Sequence, residues 1–165
     1  MKKYYLLLGS NIGNSINVIN KCIEEIENNV GVILNRSSFY ISEPWGFSSN
    51  NMFYNIAIEI ASLLKPEDLL EYIKNIELAN GRIKNETQWS DRIIDIDILF
   101  IDNMIINTPN LTVPHKLLHK RMFVLKPLSQ IAGELIHPIF NQNINSLLKE
   151  CDDKSNVKKL ITPNI

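Results

Sequence analysis

Two aspartates interrupt an otherwise apolar run, RIIDIDILF, at positions 92–100. Side chains alternate between the two faces of a strand, so Asp95 and Asp97 share one face, about 7 Å apart. The alternating isoleucines and Phe100 are predicted to point the other way, into the core. Two carboxylates this close repel each other, and burying them without a counter-charge would cost several kcal/mol. The pair therefore requires a positive partner: arginine, lysine or a metal ion.

Basic residues are available on both sides of this pair. Arg82 and Lys84 precede the acidic strand and Arg92 opens it. In the simplest alternative Arg92 pairs with Asp95, which leaves Asp97 unexplained. Carboxylate oxygens with cations around them suit Mg²⁺ bound to phosphate groups, because Mg²⁺ prefers oxygen ligands and retains water or phosphate. Two such ions on a nucleotide would use a D-x-D pair of this kind.

Apolar periodicity predicts the element order βαββαβ over the first 100 residues. This order is typical of a ferredoxin-like α+β core, an antiparallel sheet with its helices on one face. Residues 104–165 are less regular, with a mostly helical 117–132 interrupted by Pro127 and a last helix from about Asn145; we take them as a C-terminal elaboration of a single domain, 1–165. The predicted strands are 3–8, 32–42, 53–61 and 92–100, and the predicted helices end at Gly31 and Gly81.

The predicted topology gathers three connections at one end of the sheet, beside the acidic pair. They are the turn 9–14 and the loops 43–52 and 82–91. Both loops exceed the usual connection of about 4–6 residues, which favours a functional role. The turn, GSNIGN, is either a phosphate cradle or, more simply, a strand-to-helix turn in which Ser10, Asn11 or Asn14 caps the helix. The sequence therefore predicts a binding site at this end.

Composition excludes several classes of protein. The 165 residues are 45% apolar and 21% charged with a net charge of −1, which is ordinary for a globular protein and disfavours nucleic-acid or membrane partners. Cys22 and Cys151 lack metal-ligand spacing and are predicted to be free buried thiols. The apolar run near the start is too short for a signal peptide, so we expect a cytoplasmic protein.

Histidines and aromatic residues extend the candidate site. We interpret His115 as a phosphate donor and His119 as a solvent-facing residue. Phe53 and Phe123 are either core residues or, because of their positions after the loop 43–52 and after the basic stretch 115–121, stacking platforms for a flat ligand.

Six segments together resemble one enzyme family in order and spacing. LGSNIGN, SSFYISEPWGF, FYNIAIEI, IELANGR, RIIDIDILF and LTVPHKLLHKRMFVLKPLSQIA are similar to the 6-hydroxymethyl-7,8-dihydropterin pyrophosphokinases of folate biosynthesis, from about residue 4 to about 135. The resemblance implies an ATP-dependent pyrophosphokinase that transfers the β,γ-pyrophosphoryl group of ATP to the pterin hydroxymethyl group and releases AMP. It further implies two Mg²⁺ held by Asp95 and Asp97, and a monomer whose partners are ATP and the pterin, without nucleic acid or membrane.

The resemblance also implies a role for each matching residue. Phe53 and Phe123 would sandwich the pterin, and Asn55 would hydrogen-bond its edge. Catalytic roles fall to Arg82, Arg92, Asp95 and Asp97; pterin binding to Ser42, Glu43, Pro44, Trp45, Phe53, Asn55 and Phe123; and ATP binding to Glu77, Lys84, Trp89, Ile98, Thr112, His115 and Arg121.

The chain departs from the family pattern mainly in the loop before the acidic strand. Gln88, Ser90 and Asp91 stand where a basic residue, a glycine or alanine, and often a proline are usual. Lys84 replaces a frequent arginine, and Lys116 occupies a position that is often aromatic. These changes alter the expected loop contacts and leave the metal and pterin motifs intact.

Two other functions remain to be compared. A palm-type nucleotidyltransferase also carries D-x-D on a ferredoxin-like sheet, but it would release pyrophosphate and would need a third carboxylate and a basic surface. A non-enzymatic ferredoxin-like module, for RNA binding or ligand sensing, would place aromatic residues on the sheet face in place of acids. The products formed from ATP and pterin distinguish the three.

Overall fold

The first strand, β1 (Lys2–Ser10), is apolar almost throughout because it lies inside the main sheet and is covered on both faces. The structure is a computed structural model that describes residues 1–83 and 89–161. The other strands are β2 (Val32–Arg36), β3 (Tyr40–Ser42), β4 (Phe53–Ser62), β5 (Asp95–Ile101), β6 (Ile106–Asn107), β7 (Thr112–Val113), β8 (Ile136–His137), β9 (Gln142–Asn143) and β10 (Val157–Lys159). The helices are α1 (Ser15–Asn29), α2 (Pro66–Ala79), α3 (Met122–Ala132) and α4 (Ile144–Glu150), with a 3₁₀ turn at Leu118–Lys120.

The main sheet has the strand order β10-β3-β4-β1-β5, and β2 also pairs with β4. Every pairing of these strands is antiparallel, as predicted from the sequence. The strand predicted over 32–42 is divided into β2 and β3, which pair with different parts of β4. The two small ribbons, β6–β7 and β8–β9, lie outside this sheet.

Helices cover both faces of the sheet. Helices α1 and α2 bury Ile19, Ile23 and Ile73 with Leu6 and Leu8 in one core. Helices α3 and α4 bury a second core on the opposite face, with Leu7 and Leu99 of the sheet among its members. The first 101 residues thus place their helices on one face, as predicted, and the C-terminal part covers the other.

Helix α1 begins at an asparagine cap, which settles the role of part of the GSNIGN turn. The Asn14 side chain accepts a hydrogen bond from the Asn17 N–H at 3.2 Å, and Ser10 Oγ donates to Ser15 Oγ at 2.9 Å. Asn11 does not cap the helix but bonds to residues 91 and 92. One of the three predicted capping residues is therefore the cap.

A β-bulge in β5 changes which side chains face each core. Leu6 pairs with Ile98 and Tyr5 pairs with Phe100, so Leu99 is an extra residue. Beyond it the alternation is inverted. Phe100 therefore lies in the α3/α4 core while Ile98 lies in the α1/α2 core. The prediction that Phe100 shares a face with the isoleucines is wrong, because strict alternation cannot anticipate a bulge.

The interruption of the helix predicted over 117–132 lies earlier than expected. Helix α3 runs through Pro127 to Ala132, and the break is at Arg121, where an extended residue separates the 3₁₀ turn from α3. None of the described helices is long and apolar enough to cross a membrane.

His119 and His137 belong to an aromatic cluster on the C-terminal side. The ring of Phe140 stacks on His137 at 4.2 Å between centroids and meets the His119 ring edge-on at 4.6 Å. Nδ1 of His119 is buried without a hydrogen-bond partner among the described residues. The prediction that His119 faces solvent is therefore only partly correct, because the side chain is half-buried and its ring packs on an aromatic neighbour.

His137 should make the fold sensitive to acid. Its Nδ1 accepts hydrogen bonds from the N–H groups of Ile139 and Phe140, and burial lowers its pKa from 6.5 to about 4. A lowered histidine pKa stabilises the fold above the unfolded pKa, and this stabilisation is lost as the pH falls from about 6.5 to about 4. We expect His137→Asn, which keeps an acceptor, to lose less free energy of unfolding between pH 7 and pH 5 than the unmodified protein in urea titrations. Equal losses would contradict this account.

Candidate active site

The acidic pair lies at the start of β5, on the sheet face that α3 and α4 cover, and opens into a pocket. The Asp95 Oδ1 atom is 2.8 Å from Arg82 Nη1 and 3.4 Å from Arg92 Nη1. The pairing of Arg92 with Asp95 considered from the sequence thus exists. Asp97 takes part in none of the salt bridges found among the described residues.

Asp97 is the less compensated carboxylate of the pair. Burial and then the charge of Asp95 raise its pKa, and Arg121 opposes this shift. Within the described ranges no group of three or more histidine, cysteine, aspartate or glutamate side chains could hold a metal ion. Two carboxylates on an open pocket still fit Mg²⁺, because this ion binds through one or two carboxylates and completes its shell with water and phosphate oxygens.

Glu77, on α2, fixes the position of the acidic strand. Its Oε1 accepts a hydrogen bond from the Ile96 N–H at 2.7 Å and lies 2.6 Å from Arg82 Nη1. Burial, with the charge of Asp95, raises the Glu77 pKa to about 7, and the bonds from Ile96 and Arg82 counteract this rise. Arg82 is thereby held between two carboxylates, with Asp95 on its other side.

A polar pocket lies on one side of the acidic pair. It is lined by Ile98 of β5, by Thr112 of β7 and by His115 with Lys116. Nδ1 of His115 accepts a hydrogen bond from the Leu117 N–H at 3.2 Å, which assigns the ring proton to Nε2. Burial, with the charge of Arg121, lowers the His115 pKa to about 4. At neutral pH this histidine is an uncharged N–H donor.

An aromatic pocket lies on the other side, between β3, β4 and α3. Phe53 and Phe123 line it together with Phe47, whose ring meets that of Phe53 edge-on at 6.1 Å. Asn55 is buried and its Nδ2 donates to Ser42 Oγ at 2.9 Å. These aromatic rings and this fixed amide suit a flat ligand with a polar edge.

Gly9 makes room for Asn55 in this pocket. A Cβ atom at position 9 would lie 2.9 Å from Asn55 Oδ1, closer than ordinary contacts allow. The glycine that ends the apolar run of β1 is therefore required by a close approach rather than by a turn conformation.

Trp45, predicted from the sequence to be a pterin-binding residue, also makes a side-chain contact with Arg121 that the sequence did not predict. The guanidinium carbon of Arg121 lies 4.5 Å from the Trp45 ring centre and 5.6 Å from that of Phe123. Nε of Arg121 is buried without a hydrogen-bond partner among the described residues, so the aromatic faces help to hold it. The residues are 76 positions apart in the numbering, and no local pattern could indicate this contact.

The structure brings most of the predicted site residues together. The two pockets share Trp89, Arg92, Asp95, Asp97 and Arg121, so the acidic pair lies between them. Glu43 lines the aromatic pocket, Glu77 lines a neighbouring pocket beside Arg82, and Pro44 is in none of these linings. Lys84 and Gln88 lie outside the described residues. Phe47 and Leu7, which the sequence reasoning did not identify, also line the aromatic pocket. The position of Phe47, an aromatic residue in a long loop, was the signal that could have indicated it.

Known proteins resemble this chain over most of its length. Residues 5–133 match the family model described as 7,8-dihydro-6-hydroxymethylpterin-pyrophosphokinase (HPPK). A 2-amino-4-hydroxy-6-hydroxymethyldihydropteridine pyrophosphokinase from Aquifex aeolicus is 39% identical over 150 residues, covering 91% of this chain and 92% of the relative.

Longer relatives are also similar to this chain. The folic acid synthesis protein FOL1 of Dictyostelium discoideum is 36% identical over 159 residues, which are 96% of this chain and 24% of the relative, so the chain spans about a quarter of that protein. A crystal structure of HPPK-DHPS from Plasmodium falciparum matches 90% of this chain and 41% of its own with a TM-score of 0.76 and 18% identity. At that identity the likeness concerns the fold alone.

Proposed function

This chain belongs to the 7,8-dihydro-6-hydroxymethylpterin pyrophosphokinase family, and from that we propose that it transfers pyrophosphate from ATP to 6-hydroxymethyl-7,8-dihydropterin. The pterin hydroxyl oxygen would form a bond to the β-phosphorus, the bond from that phosphorus to the α–β bridging oxygen would break, and AMP would leave while the hydroxyl proton passes to water. The observation that carries the proposal is the acidic pair between an aromatic pocket and a polar pocket.

The aromatic pocket supports binding of the pterin. Phe53 and Phe123 would stack on the two faces of the ring system, and the Asn55 amide, fixed by Ser42, would bond its edge. The contacts of Asn55 with Ser42 and of Phe53 with Phe47 would hold these groups before the ligand arrives, which lowers the entropy lost on binding. The pterin hydroxymethyl group would then be directed towards the acidic pair.

The acidic pair supports binding of two Mg²⁺ ions by Asp95 and Asp97. When bound, the ions would neutralise the charge of the ATP triphosphate and hold the triphosphate in the geometry for in-line displacement. Asp97 takes part in none of the salt bridges among the described residues, and burial together with the charge of Asp95 raises its pKa, so a divalent ion would supply the missing positive charge.

Cationic and neutral donors of the chain would complete the nucleotide site. Arg82 and Arg92 point at Asp95 and line the same pocket, and the stacked Arg121 reaches both pockets. His115 would donate from Nε2 to a phosphate oxygen without adding charge. Transfer of this type needs mainly positioning and charge neutralisation, so the site requires no strong base.

The strand order supports a ferredoxin-like classification of the β1–β5 core. We also propose, from the relatives and the composition, that residues 1–165 act as one domain, as a monomer in the cytoplasm, without nucleic-acid partners. Sedimentation equilibrium of the purified chain tests the monomer.

The products test the proposed reaction. Purified protein, Mg²⁺, ATP and 6-hydroxymethyl-7,8-dihydropterin should yield AMP and the pterin diphosphate in equal amounts, measured by ion-exchange chromatography. Release of pyrophosphate would favour the nucleotidyltransferase, and binding without turnover would favour a ligand-sensing module.

Phe123 should contribute far more to pterin affinity than to ATP affinity. Stacking of a base on an aromatic ring is worth about 1–3 kcal/mol, or roughly 5- to 150-fold in affinity. We expect Phe123→Ala to weaken pterin binding by such a factor in calorimetry, with Phe123→Tyr as the control that keeps the ring. An equal loss for both ligands would identify Phe123 as a core residue.

A further inference from the structure

Asp91 joins the three connections that surround the site. Its Oδ1 accepts a hydrogen bond from Asn11 Nδ2 at 2.7 Å, and its Oδ2 accepts one from Asn51 Nδ2 at 3.4 Å. Asn11 belongs to the turn after β1, and Asn51 belongs to the loop that borders the aromatic pocket. We call Asn11, Asn51 and Asp91 the loop clamp.

Asn11 extends the loop clamp to the next residue. The Asn11 Oδ1 atom accepts from the Arg92 N–H at 2.8 Å, and the Asn11 N–H donates to the Arg92 carbonyl at 3.1 Å. Asn11 is buried, so these bonds form away from bulk water. They fix the backbone of Arg92, whose side chain reaches Asp95 and lines both pockets.

A second contact joins the same two loops on the apolar side. The Trp45 and Trp89 rings meet edge-on at 5.7 Å, and a Cβ atom added at Gly46 would lie 3.0 Å from the Trp89 ring. Gly46 has φ +81°, a conformation that favours glycine. The segment 89–92 thus contacts the loop 43–52 in two ways, through the Trp45 and Trp89 rings and through the loop clamp.

We propose that Asp91 is a positioning residue that couples the two substrate pockets. One oxygen of its carboxylate accepts a hydrogen bond from Asn11, in the turn that fixes Arg92. The other accepts one from Asn51, in the loop that borders the aromatic pocket. Displacement of the turn is therefore transmitted to the loop, and displacement of the loop to the turn. Hydrogen bonds from Ser49, Asn11 and Asn51 hold the pKa of Asp91 below its ordinary range, so the acceptor is ionised at neutral pH. Binding of nucleotide against Arg92 would then favour the arrangement of loop 43–52 that accepts pterin, and the reverse follows by reciprocity.

This inference rests on the proposed function, and its test measures coupling rather than turnover. Pterin affinity is determined by calorimetry without and with a saturating ATP analogue in which methylene replaces the α–β bridging oxygen, the position of cleavage. The ratio of the two dissociation constants is the coupling factor. Allosteric coupling is typically about 5–150-fold, and we expect the unmodified chain to fall in this range.

We expect Asp91→Ala to bring the coupling factor to about 1–2 while the pterin affinity without nucleotide changes less than about threefold. Asn51→Ala, which removes one bond of the loop clamp, should give an intermediate factor and guards against misfolding of the first variant. Asp152→Ala, at an exposed aspartate away from the pockets, should match the unmodified protein.

A coupling factor in Asp91→Ala within twofold of the unmodified value would overturn the inference. An equal loss of affinity for both ligands measured separately would also overturn it, because that result describes a structural residue. If the unmodified chain produces AMP and pterin diphosphate and either of these contrary results is found for Asp91→Ala, only the role of Asp91 is refuted and the proposed function stands. If the unmodified chain binds no pterin, the proposed function and this inference both fail.

Discussion

Replacing Asp97 by alanine should lower turnover by orders of magnitude and leave pterin affinity nearly intact. The carboxylate is one of two that would hold Mg²⁺ on the triphosphate, whereas Phe53, Asn55 and Phe123 of the aromatic pocket would provide the proposed pterin contacts. Without it the charge developing on the phosphoryl oxygens loses its neutralisation. Rates of AMP formation at saturating substrates, with calorimetry for the pterin, measure the two quantities.

Asp97→Asn is the matched control, since it preserves shape and removes the charge. The unmodified side chain is half-buried close to Asp95, and this environment raises its pKa and disfavours the ionised form in the folded protein. We therefore expect neither variant to melt at a lower temperature than the metal-free parent at neutral pH. Near-normal turnover in the alanine variant would refute the assignment of Asp97 to the metal.

Replacing Arg82 by alanine should lower turnover about 100-fold or more, because removal of one charged donor from a transition state commonly has that effect. It should also destabilise the fold, since Glu77 loses its ion-pair partner while it stays buried. Breaking a fully buried pair costs about 3–5 kcal/mol. Arg82 is partly exposed, and Glu77, whose pKa is about 7, can take up a proton. We expect a smaller loss that grows as the pH rises above 7.

The double variant Arg82→Ala/Glu77→Gln separates these two effects. Glutamine removes the buried charge and retains an oxygen that can accept the Ile96 N–H. We expect the free energy of unfolding to recover in the double variant while turnover stays low, as urea titrations and AMP assays would show. Recovery of turnover together with stability would mean that Arg82 acts only by maintaining the fold.

Periodicity in the sequence predicted the acidic pair because the physical rule is local. Alternation alone placed Asp95 and Asp97 on one face, and cap and proline signals anticipated the starts of both early helices. The same rule failed at Phe100, because a bulge depends on the pairing of β5 with β1. Strand register is a property of two segments, and one segment cannot reveal it.

The contacts that connect the loops were beyond sequence reasoning for a similar reason. Asn11 has a side chain that can cap the adjacent helix, and only the fold shows that it bonds Asp91 and Arg92, about 80 positions away. Trp45 likewise meets Arg121 only after α3 covers the sheet. Polar and aromatic side chains can contact many kinds of partner. The residue type therefore indicates which kinds of contact are possible, but not which residue of the chain makes the contact.

The directions of β1 and β10 determine where the protein can be attached to a support. β1 begins at Lys2 and first reaches the pockets at Leu7, about 17 Å further along at ~3.3 Å per residue. β10 starts beside Ser42 and runs away from the pockets, since Lys159 pairs with Tyr40. A resin or a reporter protein linked through either lysine would therefore leave the substrate entrance open. Linkage through the loop 43–52 would obstruct it and immobilise the segment that borders the aromatic pocket.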